Sequence, residues 1–263
     1  MVAQPDYYSF KNEDGTEIQL KRVTGILKRC INKPELINWA YWRTIDSVSG
    51  LMGSQPSRGL DDVSTRELLE DSGTIDEWLR LNRMRPDDLK EEASSRGEGA
   101  HELLARLAQQ QQEGVDLDGS LAHTIADSEG GYLKGVADWW MEARPHVQAS
   151  EKLLYSLDYG GYAGRCDLVV DWFQFDAHMA ATGPAIVDLK TRKLPLRIYT
   201  TDMLQLEMYA HAYESMTGIK PYTWVLLVGP DGTFSMSQTH VSPDTVEHLI
   251  GLDKELRRLE EGR

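Results

Sequence analysis

An aspartate and a lysine stand two residues apart in the segment Ala185-Ile186-Val187-Asp188-Leu189-Lys190. Side chains alternate across a β-strand, so Asp188 and Lys190 would share one face, roughly 6–7 Å apart along it, with Val187 and Leu189 on the opposite, core-facing side. A second acid, Asp167, follows the small, glycine-rich run Gly160-Gly161-Tyr162-Ala163-Gly164-Arg165-Cys166 and opens the apolar stretch Leu168-Val169-Val170. If the two strands lie side by side, two carboxylates and an ammonium meet. Such a set suits a divalent metal with a cation poised over a phosphate. Mg²⁺ takes a few carboxylates together with waters and phosphate oxygens, and a bound metal can generate hydroxide and offset charge on a phosphoryl group. An exposed Asp–Lys pair by itself is worth under about 1 kcal/mol, so the surrounding chain must decide between the two readings.

The elements that would position these residues follow from periodicity and turn chemistry. Residues 6–22 read as a short hairpin turning at Asn12-Glu13-Asp14-Gly15, followed by a short helix that Thr24 could cap. Pro34 opens a second helix, since proline is tolerated in a first turn, and Trp39 and Trp42 belong to the packing of that region. Residues 46–73 are polar and read as a loosely packed loop with one helical turn. A helical pattern covers 74–89, with Pro86 interrupting it. Gly97 and Gly99 loosen the entry to a helix whose Leu103, Leu104 and Leu107 face inward, with His101 near the start of that face. Residues 109–120, including the run Gln109 to Gln112, read as a solvated helix end and loop. Residues 132–144 form another helix, burying Val136, Trp139 and Trp140 and stopping before Pro145, and a strand over 146–155 brings Glu151 toward the two aspartates. Beyond Pro195, residues 201–213 form a clear helix that Thr201 or Asp202 can cap; its Gln205 and Tyr209 project together at i and i+4. A hairpin over 222–241, turning at Pro230-Asp231-Gly232, and a charged amphipathic helix after Pro243 complete the chain.

Composition bounds the function classes. At 263 residues and 41% hydrophobic content the chain can bury a sizeable core. It holds no apolar run near 18 residues and no basic-then-apolar leader, so the expectation is a cytoplasmic protein away from the membrane. Two cysteines, Cys30 and Cys166, argue against a disulfide framework and exclude a four-cysteine cluster in this chain. A formal charge of −14 argues against nucleic acid on its face. The acids, however, concentrate in residues 61–102 and 255–261, whereas basic residues gather at 21–29 and at Lys190, Arg192, Lys193 and Arg197. No phosphate-binding glycine loop or serine nucleophile elbow occurs.

The order of these elements carries a resemblance. A helix with His101, a strand with Glu151, a strand with Asp167, the Asp188-Leu189-Lys190 strand and a helix with Gln205 and Tyr209 resemble the PD-(D/E)XK nuclease superfamily. The similarity is to its RecB-type exonuclease branch, which includes the mitochondrial genome maintenance exonuclease and many phage exonucleases. Gly97 to His101 is similar to the branch's Gly-x-x-x-His motif, Gly161 to Asp167 to its G-Y-x-G-x-x-D motif, Asp188-Leu189-Lys190 to its D-x-K strand, and Gln205 to Tyr209 to its Q-x-x-x-Y helix. The chain departs from the pattern at Glu98, where the branch usually has Thr, and in lacking the four cysteines of members that carry an iron–sulfur cluster.

The resemblance implies an α/β fold: a restriction-endonuclease-like core, that is a central mixed β-sheet flanked by helices, with a helical N-terminal elaboration. Residues 1–95 would form the N-terminal hairpin and helical region and 96–263 the nuclease core, together one compact unit. It implies a metal-dependent DNA exonuclease that leaves 5′-phosphates, working in phage or bacterial recombination, repair or degradation, beside a recombinase or strand-annealing protein. His101, Asp167, Asp188 and the main-chain carbonyl of Leu189 would hold Mg²⁺ or Mn²⁺, the imidazole making Mn²⁺ a credible choice, with no iron–sulfur cluster. Lys190 would orient or help deprotonate the attacking water and stabilise the pentacovalent phosphate. Glu151 would bind a second metal or hold a water. Gln205 and Tyr209 would position the DNA backbone or Lys190, with Arg165, Thr191, Arg192 and Lys193 also on the DNA. The alternatives are a catalytically inactive DNA-binding or assembly module of the same fold, a structure-specific endonuclease, and a hydrolase of small phosphoesters.

Overall fold

Two long apolar, β-branched segments dictate the centre of the molecule. In the computed structural model they are the strands β4 (Tyr162–Gln174) and β5 (Ala180–Thr191), and both sheet faces at this point are covered by helices. The structure describes residues 7–11, 16–31, 77, 79–81, 86–115, 120–174 and 180–262. The helix expected at Pro34, the polar stretch 46–73 and most of the helix expected over 74–89 lie outside them. The chain divides into two units, residues 1–31 with 99–263, and residues 32–98. The N-terminal hairpin therefore folds with the sheet that carries the aspartates.

The elements of the larger unit run in chain order. A hairpin of β1 (Tyr7–Lys11) and β2 (Glu17–Arg22) leads directly into α1 (Val23–Cys30). Helix α2 (Pro86–Gln112) is followed by α3 (Ser120–Ser128), α4 (Gly131–Ala143) and β3 (His146–Ser156). After β4 and β5 come α5 (Thr200–Thr217), β6 (Tyr222–Val228), β7 (Phe234–Gln238) and α6 (Asp244–Glu261). Among the described residues, no helix is long and apolar enough to cross a membrane.

The fold is α/β, with a mixed seven-stranded sheet in the order β1-β2-β4-β5-β6-β7 and β3 paired to β4 outside this path. This is the arrangement expected of a restriction-endonuclease-like core. β5 and β6 are parallel, and such a pair needs a crossover, which α5 provides. One face of the sheet packs Leu168, Val187 and Leu189 against Leu104 and Leu107 of α2 and Val136 and Trp139 of α4. The other packs Cys166, Val169 and Ile186 against Val23 and Ile26 of α1, Leu206 and Tyr209 of α5, and Leu249 and Ile250 of α6.

Four local outcomes differ from the sequence reading. The helix expected to begin near Gly97 is already under way at Pro86, a residue suited to a first helical position. Thr24 lies inside α1, whose N-cap is Arg22. Gln111 is not merely solvated: its amide donates to the Pro145 carbonyl at 2.6 Å and its oxygen accepts the Val147 N–H at 2.9 Å, holding the first residues of β3. Helix α3 has no counterpart in the sequence reading.

Candidate functional site

The site arises where one edge of β4 loses its partners. β3 occupies one edge of β4 along its whole length. On the other edge, β2 pairs in parallel only at Tyr162 and Ala163, through Lys21 and Arg22, and β5 pairs antiparallel only from Leu168, opposite Val187, onward. Residues 164–167 are left open between them. The C-terminal ends of β2 and β5 approach this gap from opposite directions. Residues that follow Val187 on β5 are therefore brought toward residues that follow Arg22, although the two segments are far apart in the sequence.

Asp167 sits in the gap. Beyond the last ladder pair, the Leu189 N–H lacks a β4 carbonyl and donates instead to Asp167 Oδ2 at 2.7 Å. The other oxygen of Asp167 lies 3.1 Å from His101 Nδ1, which reaches it from α2 on one side of the sheet. Burial alone would raise the Asp167 carboxyl, but the His101 contact, the Lys190 charge and the Leu189 N–H together hold it below its ordinary value. His101 shows the reciprocal balance: burial opposes the imidazolium, and the Asp167 carboxylate outweighs burial and raises its pKa.

Asp188 is 1% exposed. Its Oδ2 lies 2.6 Å from Lys190 Nζ, so the two share a face at i and i+2. This is a contact of charges: the buried oxygen has no aligned hydrogen-bond donor. From the opposite side of the sheet, α5 supplies Gln205, whose amide donates to the Tyr209 hydroxyl at 2.8 Å and stands 3.5 Å from Asp188 Oδ1. Burial, helped by the nearby Asp167 charge, pushes the Asp188 carboxyl up to about 6 even with the Lys190 ammonium beside it. Two carboxylates this close resist simultaneous ionisation, and their environments separate them. Burial disfavours the ammonium of Lys190, but Asp188 and Asp167 more than compensate and raise its pKa.

Glu151 lines the same cleft and takes a backbone φ of 49°, a conformation that a non-glycine residue holds at a cost of order 1 kcal/mol. It lies between the β3 positions paired to Leu168 and Cys166, opposite Asp167. Burial and the Asp167 charge raise its carboxyl, against the pull of Arg165 and His101. Gly164 is required by packing: a Cβ there would stand 2.3 Å from the Tyr209 ring and 3.0 Å from Val23 Cγ2. Tyr209, 2% exposed, thus packs directly against Gly164 in the gap.

The cleft measures about 380 Å³ and brings together His101, Glu151, Arg165, Asp167, Asp188, Lys190, Gln205 and Tyr209. It also contains Tyr8, Arg22 and Thr24, whose place the sequence reading did not anticipate. No linear pattern signals them, because they reach the cleft only through the parallel pairing of β2 with a strand far along the chain. Thr191, Arg192 and Lys193 do not line it. The Arg192 guanidinium bonds Asp202 Oδ2 at 2.6 Å and lies 4.7 Å from the Tyr199 ring centroid, tying the end of β5 to the start of α5.

Among the described residues, no group of three or more His, Cys, Asp or Glu side chains is gathered so as to hold a metal ion. The donor chemistry nevertheless fits a divalent cation. Two carboxylates and an imidazole suit Mg²⁺ or Mn²⁺, and the buried Asp188 Oδ2 has an ammonium rather than an aligned donor as its partner. As the site stands, Lys190 and His101 supply the positive charge that the acids require.

No protein-family model matches the chain, and no curated protein sequence does either. Among solved structures, a chain from Eubacterium rectale described as a "putative exonuclease" is similar, at 14% identity and a TM-score of 0.33, covering 60% of this chain and 68% of that one. At this level the likeness bears on neither activity nor site residues.

Proposed function

We propose that this cleft hydrolyses phosphodiester bonds of DNA from its ends, with Mg²⁺ or Mn²⁺ as cofactor, and leaves 5′-phosphates. One observation carries the reading: the open edge of β4 draws Asp167, Asp188, Lys190 and His101 into a single cleft from three different elements. A metal held by His101, Asp167, Asp188 and the Leu189 carbonyl would supply a polarised water and offset charge on the phosphoryl group. The protein's own groups do the rest. Lys190, kept charged by the two aspartates, is a fixed cation for the oxygens of the reacting phosphate. Gln205 holds Tyr209 and faces Asp188, fixing that carboxylate's orientation. Glu151, opposite Asp167 on β3, would hold a water or a second metal.

The test uses end-labelled single- and double-stranded linear DNA beside a closed circle, in Mg²⁺, Mn²⁺ or EDTA. Metal-dependent shortening of linear DNA with the circle spared is the expected result, and cutting of the circle would make the protein an endonuclease. A second reading, a DNA-binding module without chemistry, draws on the fact that both aspartates are already paired within the protein. Retention of DNA with no cleavage in either metal would establish it in place of the first.

A further inference from the structure

Among the described residues, three rings line the cleft: His101, Tyr209 and Tyr8. Two of them are already engaged. His101 Nδ1 faces Asp167 Oδ1 at 3.1 Å. Tyr209 is buried, packed against Gly164, and its hydroxyl accepts the Gln205 amide at 2.8 Å. Tyr8 is only half-buried. Alternation along β1 sends Tyr7 and Tyr8 to opposite faces. The Tyr7 hydroxyl accepts from Arg257 of α6 at 3.1 Å, whereas Tyr8, paired with Leu20 of β2, shares the face of Leu20 and Arg22 and reaches the cleft. The Arg22 guanidinium lies 4.3 Å from the centroid of the Tyr8 ring, a cation–π contact that backs the ring. Lys21, the neighbour of Arg22, pairs with Asp253 of α6 at 2.8 Å. Tyr7 and Lys21 thus tie the hairpin to α6, and the Tyr8 ring is positioned before any ligand arrives.

At about 380 Å³ the cleft is larger than one phosphate needs, although at the low end of ligand-binding sites. A phosphate held at Asp167, Asp188 and Lys190 brings its nucleotide with it, and the attached base needs a surface. Every base has a π face, so an aromatic ring holds it whatever its identity. We propose that Tyr8 is a stacking platform for the nucleobase next to the phosphate held at Asp167, Asp188 and Lys190. The assignment rests on the function proposed above and narrows its substrate: a strand whose base is unpaired and unstacked, as at a single-stranded or frayed end. A base inside an intact duplex keeps both faces against its neighbours and offers none to Tyr8. The platform registers that a base is present and not which base it is.

The experiment measures binding of two fluorescent single strands by anisotropy in EDTA, one of thymidylates and one of equal length made of abasic units. The full chain is compared with Tyr8→Phe and Tyr8→Leu across a salt series, with thermal melting as the check on each fold. Tyr8→Leu is expected to bind the base-bearing strand about five- to a hundredfold more weakly, the effect of one base–aromatic stack. It should bind the abasic strand as the full chain does, and keep the slope of log affinity against log salt, since no phosphate contact is lost. Tyr8→Phe should keep full affinity. Unchanged binding by a folded Tyr8→Leu protein would overturn the platform, as would an equal loss on the abasic strand or a loss in Tyr8→Phe, which would assign the hydroxyl instead. A check that needs no variant uses strands with 5-iodouracil at each position in turn, irradiated with the full chain. The crosslinked peptide should contain Tyr8 for a base at or next to an end, and no crosslink to Tyr8 from any position would overturn the platform. Failure of the full chain to bind either strand would do the same. Because no cleavage is read, a protein that stacks a base on Tyr8 but never cuts would keep the platform and lose the hydrolase.

Discussion

At the scale of single residues, the site is a balance among groups that burial pushes in different directions. Asp167 keeps its charge because a main-chain N–H and His101 stabilise it, whereas Asp188, more deeply buried, is pushed up to about 6. Lys190 is the group on which this arrangement depends. Lys190→Met would retain most of the aliphatic stem and remove the ammonium that faces Asp188 and that, in the proposed reaction, would serve the reacting phosphate. The expected outcome is a fall in cleavage of at least about 10², read in single-turnover assays on end-labelled DNA, with the far-ultraviolet circular dichroism unchanged. Full activity in a folded Lys190→Met protein would remove this residue from the mechanism. The pairing of Asp188 with Lys190 was legible in the sequence because it needs only strand alternation. The places of Arg22 and Tyr8 were not, since the contact that brings them in is a short parallel pairing between segments remote in sequence.

At the scale of elements, the gap in β4 is maintained by what packs over it. Helix α5 crosses the sheet close enough for Tyr209 to lie on the bare backbone of Gly164. Its start is fixed by Asp202, which accepts the Tyr199 N–H at 2.9 Å and pairs with Arg192 at 2.6 Å. A methyl group at residue 164 would force the ring or the helix outward. Gly164→Ala is therefore expected to destabilise the fold by about 1–3 kcal/mol, the range for overpacking, whereas Gly251→Ala, in α6 with open space around it, should stabilise by about 0.5–1 kcal/mol. Denaturant midpoints of the two variants give the comparison, and equal shifts would contradict it. Apolar periodicity revealed β3, β4, β6 and α5 within a few residues, but of β5 only the half from Ala185 onward, the strand itself starting at Ala180. It missed α3, a short helix whose polar positions hide its buried Ala122, and it placed the start of α2 too late because Gly97 and Gly99, poor helix formers, are carried by a helix already begun at Pro86.

At the scale of the whole molecule, the net charge of −14 says little about any one site, because it sums acids spread along the sequence, and one of them has a structural task of its own. Asp253 of α6 is 0% exposed and meets three cations: Lys21 of β2 at 2.8 Å, Arg29 of α1 at 3.1 Å and Arg257 at 3.1 Å. This clamp holds β2 and α1, and with them Arg22, against the C-terminal helix. No sequence pattern announced it, since a single acid in a charged amphipathic helix has the same spacing whether it faces solvent or three cations. Burial would raise the Asp253 carboxyl, but its bonds to Lys21 and Arg257 reverse this and hold it below the ordinary value. A depressed folded-state pKa contributes stability that is fully present above the unfolded value of about 3.9 and disappears as pH falls through the folded value. Asp253→Ala should thus cost about 3 kcal/mol at neutral pH, as expected when one member of a buried charge cluster is removed. The difference between the two proteins should shrink progressively below pH 4, where the unsubstituted carboxyl takes up its proton. Urea midpoints at pH 7, 4 and 3 check both statements. A difference that stayed constant across that range would show that Asp253 acts through packing and that the ionised clamp is not what holds the ends together.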